Sequence, residues 1–218
     1  MISETFFGIQ GEGKTQGRYR QFIRFNNCSL FCNFCDTHYA WGKGEDHVKL
    51  PRKLYKHLVL TGGCPLLPKT WAYIKKNILT KPEVEYVEIE TNGTQHISLV
   101  DLNNIRNHVD LWNISPKEAK YMTKKCNVTP WLLENKDLLN DYIVKFVVKD
   151  ESDLKFVKKI QKKYKVPREK IWLMPYTTPN EEELNAAVTE KIYDLAFNNK
   201  YNFSARLHVL IKGNKRGI

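Results

Sequence analysis

The stretch "RQFIRFNNCSLFCNFCDT", Arg20 to Thr37, decides how the rest of the chain is read. Arg20 to Phe25 alternate in the manner of a strand, and the loop that follows carries Cys28, Cys32 and Cys35 at a Cys-x₃-Cys-x₂-Cys spacing. These are three of only five cysteines in 218 residues. A disulfide framework calls for an even number, and a closed structural zinc site calls for four ligands. The loop is therefore one ligand short, with His38 or His47 available if the metal is zinc.

Outward from that strand, the chain alternates strand-like and helix-like segments without repeats or low complexity. "HLVLT" (57–61), "EYVEIET" (85–91), "LWNIS" (111–115), "YIVKFVV" (142–148), "KIWLMP" (170–175) and "RLHVLI" (206–211) each read as a strand. Helices are expected over 68–79, 99–107, 152–164 and 181–198. Strand, crossover, strand in this order predicts a mainly parallel α/β sheet with outer helices. A full eightfold (β/α) barrel takes about 250 residues. The expectation is a partial (β/α) barrel in a single domain, 1–218. Its first crossover is short, because "KLPRKLY" (49–55) with Pro51 is a poor helix.

The net charge of +11 raises the question of nucleic acid. The lysines are spread along the chain, however, and "KFVKKIQKKYK" (155–165) interleaves them with Phe156, Val157, Ile160 and Tyr164. That is an amphipathic helix with a solvated basic face, and nucleic acid is not the expected partner. No apolar run approaches the roughly 20 residues of a membrane span. The opening "MISETFFGIQGEG" has no basic and apolar leader pattern. A cytoplasmic protein with reduced thiols is expected.

In parallel α/β folds the chemistry gathers at the carboxyl ends of the strands. The three cysteines sit at such an end, followed by "TGGCP" (61–65), "ETNGT" (90–94), "SPK" (115–117) and "MPYT" (174–177), while Lys145 lies inside a strand. Three soft thiolates on one loop suit iron and sulfide, and a [4Fe–4S] cluster held by three cysteines keeps one iron open. The spacing matches the signature of the radical SAM enzymes. That resemblance implies S-adenosyl-L-methionine on the open iron and one-electron cleavage of its C–S bond to a 5′-deoxyadenosyl radical.

The opening "ETFFGIQGEGKTQGRYRQFIRFNNC", then "CDT", "ETNGT", "ISPK" and "RLHVLIKGNKRGI", resemble the 7-carboxy-7-deazaguanine synthase family nearly end to end. The resemblance implies a radical SAM lyase that contracts 6-carboxy-5,6,7,8-tetrahydropterin to 7-carboxy-7-deazaguanine, releasing ammonia, in queuosine-type biosynthesis. It places the cluster on Cys28, Cys32 and Cys35. S-adenosyl-L-methionine falls to Gly63, Ser115, Pro116, Lys117 and the loop Met174, Pro175, Tyr176 and Thr177. The pterin falls to Ile9, Gln10, Gly11, Arg24, Thr61, Glu90 and His208, and Mg²⁺ to Thr37. Glu90, Thr37 and Lys145 are the expected catalytic group. The resemblance also implies a homodimer and a reductant such as flavodoxin, in a bacterial cytoplasm or, for a viral chain, that of the host.

Two departures stand out: Cys64 where the radical SAM pattern has Glu, and Met174-Pro175 where the family tends to Gln-Pro. Cys64 reads as a small semi-buried thiol and Cys126 as structural or incidental. A glycyl-radical activating enzyme, or a non-catalytic iron–sulfur descendant, are the other classes the cysteine spacing allows.

Overall fold

Eight strands form one sheet, hydrogen-bonded in the order in which they occur in the chain. The computed structural model describes residues 1–42, 48–177 and 185–213. His47, the helix start expected at 181 and residues 214–218 of the chain ending lie outside these. β1 (Ile2–Ile9) is antiparallel to β2 (Tyr19–Phe25). Every later pairing is parallel, through β3 (His57–Gly62), β4 (Tyr86–Thr91), β5 (Leu111–Ile114), β6 (Tyr142–Val148), β7 (Ile171–Pro175) and β8 (Asn202–Phe203). Among the described residues five α-helices lie in the crossovers: α1 (Pro68–Asn77), α2 (Leu99–Ile105), α3 (Trp131–Glu134), α4 (Leu154–Tyr164) and α5 (Ala186–Asn199). α6 (Leu207–Lys212) follows β8. Between β2 and β3 the described residues hold one 3₁₀ turn, His38–Ala40, and no α-helix, in line with the short first crossover.

The period of two along each strand sorts residues to opposite faces. Ile23, Leu58, Leu60, Val87, Ile89, Trp112, Val144, Phe146, Ile171 and Leu173 belong to a single apolar core that also takes in Trp71 and Ile74 of α1, Leu102 of α2 and Val157 and Ile160 of α4. Each such fully buried side chain contributes about 1.5–3 kcal/mol. The intervening residues Arg24, Thr61, Glu90, Asn113, Lys145 and Val147 line the cavity on the other face. The inner face is thus polar and the outer face apolar, and this places the chemistry inside the curve of the sheet. The basic stretch behaves as its pattern requires: α4 buries Leu154, Val157, Ile160 and Tyr164 and leaves most of its lysines in solvent.

Three features correct the sequence reading. "RLHVLI" is not a strand: Arg206 takes a left-handed φ of 53°, the chain turns, and α6 begins at Leu207. Leu207 N–H bonds to the Gly11 carbonyl at 2.9 Å, so tertiary contact overrides the β-propensity of Val209 and Ile211. The last strand is instead the two-residue β8, which shows no apolar alternation. The opening segment, absent from the expected strands, is the strand β1 up to Ile9, where Phe6 stacks on Phe22 at 4.9 Å and Phe7 on Tyr19 at 5.7 Å.

Candidate active site

The turn after β1 closes the amino-terminal mouth of the sheet. Gln10 N–H bonds to the Arg18 carbonyl (2.8 Å), Gly13 N–H to Ser204 Oγ (2.9 Å) and Thr15 Oγ1 donates to Glu88 Oε2 (2.5 Å). Lys14 pairs with Asp141, the residue before β6. Gly13 has φ +68°, and a Cβ there would lie 2.9 Å from Ile143 Cδ1 and 3.0 Å from Asn113 Nδ2, so the turn sits directly on the sheet. Ile9, Gln10, Gly11 and Glu12 then form the floor of the cavity lined by the inner strand residues.

At the other end, Cys28, Cys32 and Cys35 all open into that cavity, and all are free thiols. Burial pushes Cys28 up to about 12 and Cys32 up to about 11, against an opposing contribution from Lys117 at Cys32. The described residues contain no group of three or more His, Cys, Asp or Glu placed on a single metal ion. An iron–sulfur cluster sets a different requirement, one thiolate to each of several irons. The "TGG" loop presses on the same cysteines. A Cβ on Gly63 would lie 1.9 Å from the Asn27 carbonyl oxygen and 3.0 Å from Cys28 N, both rigid backbone atoms. Gly63→Ala is therefore expected to destabilise the fold by about 2 kcal/mol or more in urea unfolding. An unchanged midpoint would show that the two loops do not meet as described.

A buried charge network joins the floor to the cysteine loop. Glu12 accepts from Lys145 Nζ, and its Oε1 accepts from Arg206 Nε at 3.2 Å, with His208 Nε2 at 4.0 Å. Arg206 also donates to Asp36, next to Cys35, and to Thr177 after β7. Burial opposes ionisation of Glu12, but the charges of Lys145, Arg206 and His208 outweigh it and hold its pKa well below the carboxylate range. Lys145 is raised because Glu12 and Glu90 overcome its own burial, so it stays an ammonium. His208 is lowered, chiefly by burial. Burial likewise lowers Lys117, whose Nζ lies 5.9 Å from the centre of the Phe34 ring. Glu90 accepts from Thr61 Oγ1 at 2.7 Å and from Gln10 Nε2 at 3.0 Å. Arg24 bonds through Nε to Glu4 at 2.6 Å and faces the cavity on one wall.

Most residues singled out in the sequence meet at this cavity: the three cysteines, Thr37, Gly63, Ser115, Lys117, Met174, Thr177, Lys145 and all seven residues expected to face the pterin. Pro116 lines a smaller neighbouring recess with Phe34 and Tyr121. Pro175 and Tyr176 do not line the cavity, and the Tyr176 ring is edge-on to Phe34, which does, at 5.5 Å. Cys64 is fully buried in the core and Cys126 packs beside Cys32, Leu30 and Phe34. Glu12, Asp36, Glu88, Asn113 and Arg206 escaped the sequence reading. Glu12 and Asp36 stood inside the motifs "QGEG" and "CDT", and the period of two in "EYVEIET" puts Glu88 on the face of Glu90.

Curated relatives carry one name over the full length. The 7-carboxy-7-deazaguanine synthase of Clostridium acetobutylicum is 30% identical over 234 residues, covering 100% of this chain and 98% of that one. The chain belongs to the 7-carboxy-7-deazaguanine synthase family. The synthase of Rhodopirellula baltica is 30% identical over 233 residues (100% of this chain, 88% of that one), and that of Pyrobaculum aerophilum 29% over 225 (99% and 96%). No family model matches the sequence. Among solved structures, QueE from Escherichia coli superposes with a TM-score of 0.65 at 22% identity, covering 95% of this chain and 93% of that one. The structure titled anSMEcpe with bound AdoMet gives 0.52 at 15% identity, covering 83% and 59%. These two likenesses show the fold, a partial (β/α) barrel. The 7-carboxy-7-deazaguanine synthase family is thus reached both through the motifs around Cys28 and through the length of the chain.

Proposed function

We propose that this chain is a radical SAM lyase that converts 6-carboxy-5,6,7,8-tetrahydropterin to 7-carboxy-7-deazaguanine with loss of ammonia. The observation that carries this reading is one cavity in which three free thiols at its mouth face Arg24, Thr61, Glu90, Lys145 and His208, in a chain with full-length relatives of that name. Three soft donors beside a backbone approach that admits no side chain at Gly63 fit a [4Fe–4S] cluster on Cys28, Cys32 and Cys35. S-adenosyl-L-methionine would rest against Gly63, Ser115, Lys117, Met174 and Thr177, with Pro116, Pro175 and Tyr176 beside them in the chain. When bound, the two together supply a 5′-deoxyadenosyl radical.

The chain's own residues bind and orient the pterin. Lys145, kept cationic, offers its charge to an anionic substrate. Arg24 is held by Glu4 with its planar guanidinium at the cavity wall, suited to a carboxylate or ring oxygen. Glu90, oriented by Thr61 and Gln10, accepts from ring N–H groups. Thr37 lies with its hydroxyl 3.4 Å from Cys35 Sγ, and a hard oxygen there suits Mg²⁺ shared with substrate oxygens. The whole chain would act as one domain in a cytoplasmic homodimer, served by a reductant such as flavodoxin. Among the described residues no helix is long and apolar enough to cross a membrane.

The test is anaerobic reconstitution with iron and sulfide, then dithionite, S-adenosyl-L-methionine and the tetrahydropterin. Ammonia and the deazaguanine are expected in equal amounts, with Thr37→Ala losing most of the stimulation by Mg²⁺. Cleavage of S-adenosyl-L-methionine without ring contraction would place the protein with another radical SAM chemistry. No cleavage at all would make it a binding descendant.

A further inference from the structure

Glu88 has no part in the reaction above, yet it is fully buried directly beneath it. Its Oε1 accepts from Gln10 Nε2 and from Asn113 Nδ2, each at 3.4 Å, and its Oε2 accepts from Thr15 Oγ1 at 2.5 Å. Among the described residues no lysine or arginine bonds to it. Gln10 is fixed by this arrangement. Its nitrogen also donates to Glu90, and its oxygen accepts from Glu12 N–H at 3.2 Å, so a flipped amide would set its oxygen against two carboxyls. Asn113 turns its nitrogen to Glu88 and leaves Oδ1 buried and, among the described residues, without a partner at the cavity wall, in register with Glu90 on the adjacent strand. A buried acceptor without a donor costs free energy unless a ligand completes it.

We propose that Glu88 is a positioning residue that gathers the amide nitrogens of Gln10 and Asn113, so that Glu90 and Asn113 Oδ1 stand together as acceptors for the adjacent N–H donors of an aminopyrimidinone ring. The proposal deepens the reading of the substrate as a pterin and rests on it. Two carboxyls bridged by one amide do not both ionise without cost. Burial first, and then the charge of Glu90, push Glu88 up to about 7, against smaller opposing contributions from Thr15 and Asn113 and from Lys145 on β6. Tyr86, on the same strand, also feels its charge. Below that pH the Glu88 carboxyl is neutral. Above it a negative charge builds beneath the cavity and opposes an anionic substrate.

Glu88→Gln keeps the shape and removes the ionisation. In the reconstituted enzyme, the wild-type KM for 6-carboxy-5,6,7,8-tetrahydropterin is expected to rise about tenfold as pH passes through 7 to 8, with kcat little changed. In E88Q it stays flat. A second measurement needs no turnover. Between pH 4.5 and about 7 the unfolded chain has released the Glu88 proton and the folded chain has not, so the contribution of Glu88 to stability falls with rising pH across that window and is absent from E88Q. The urea midpoints of the two proteins should therefore separate in favour of E88Q as pH rises. A KM that climbs alike in both, or a midpoint difference that stays constant across the window, overturns the assignment. If E88Q does not fold, Thr15→Val takes its place: losing the hydroxyl that favours the ionised carboxylate should move the KM rise to higher pH, and an unmoved rise overturns the assignment equally. Should neither protein consume the tetrahydropterin, the fault lies with the proposed substrate, and the unfolding measurement still decides the state of Glu88.

Discussion

Cys32→Ala, rebuilt anaerobically with iron and sulfide, is expected to lose the iron–sulfur absorption and to drop in turnover by about a thousandfold or more, because the group that carries the hard chemistry is gone. Cys64→Ala is the informative control. Both thiols are buried, and both lie near the same loops, but only Cys32 opens into the cavity. Cys64 packs in the core, with Thr91 Oγ1 its side-chain contact at 4.0 Å. Its removal should leave iron content intact and cost about 1 kcal/mol of packing. Iron measured in both variants, normalised to folded protein, separates ligation from simple misfolding. Equal loss in the two would mean that Cys64 completes the site and that no iron is left open, and the proposed chemistry would fall with it.

The same contrast shows what the sequence could convey. The triplet Cys28, Cys32 and Cys35 is visible because its spacing is local, and Gly62-Gly63 because a close backbone approach demands glycine. The sheet was legible from β2 to β7, where each strand carries a clear apolar pattern. β1 and β8 lie at the two edges, where one ladder is missing and the pattern weakens. Arg206 lies beyond such reading: its partners Asp36 and Glu12 are 170 and 194 residues away in the chain. No local pattern encodes contacts of that span. His208 lines the cavity from a helix, where the sequence pattern reads a strand.

The buried pair of Lys145 and Glu12 carries the second large effect. Their side chains are 7% and 14% exposed, so neither charge is well solvated and each depends on the other. Removing one member of a buried ion pair costs about 3–5 kcal/mol, most of it from the charge left behind. Arg206 remains at 3.2 Å from Glu12 in Lys145→Met, so a loss near the lower end, about 3 kcal/mol, is expected in urea unfolding at pH 7. The folded Glu12 carboxyl titrates below its unfolded value, so its contribution is complete above pH 4.5 and is lost as pH falls further. The deficit of K145M should accordingly be largest near neutrality and shrink in acid. Glu12→Gln combined with Lys145→Met removes both charges and should recover much of the stability, while turnover stays depressed about a hundredfold because the cation proposed to face the substrate is still missing. If the double variant regains turnover along with stability, Lys145 only holds the floor in place. If the single variant unfolds like the wild type at every pH, the two side chains do not pair in the folded protein.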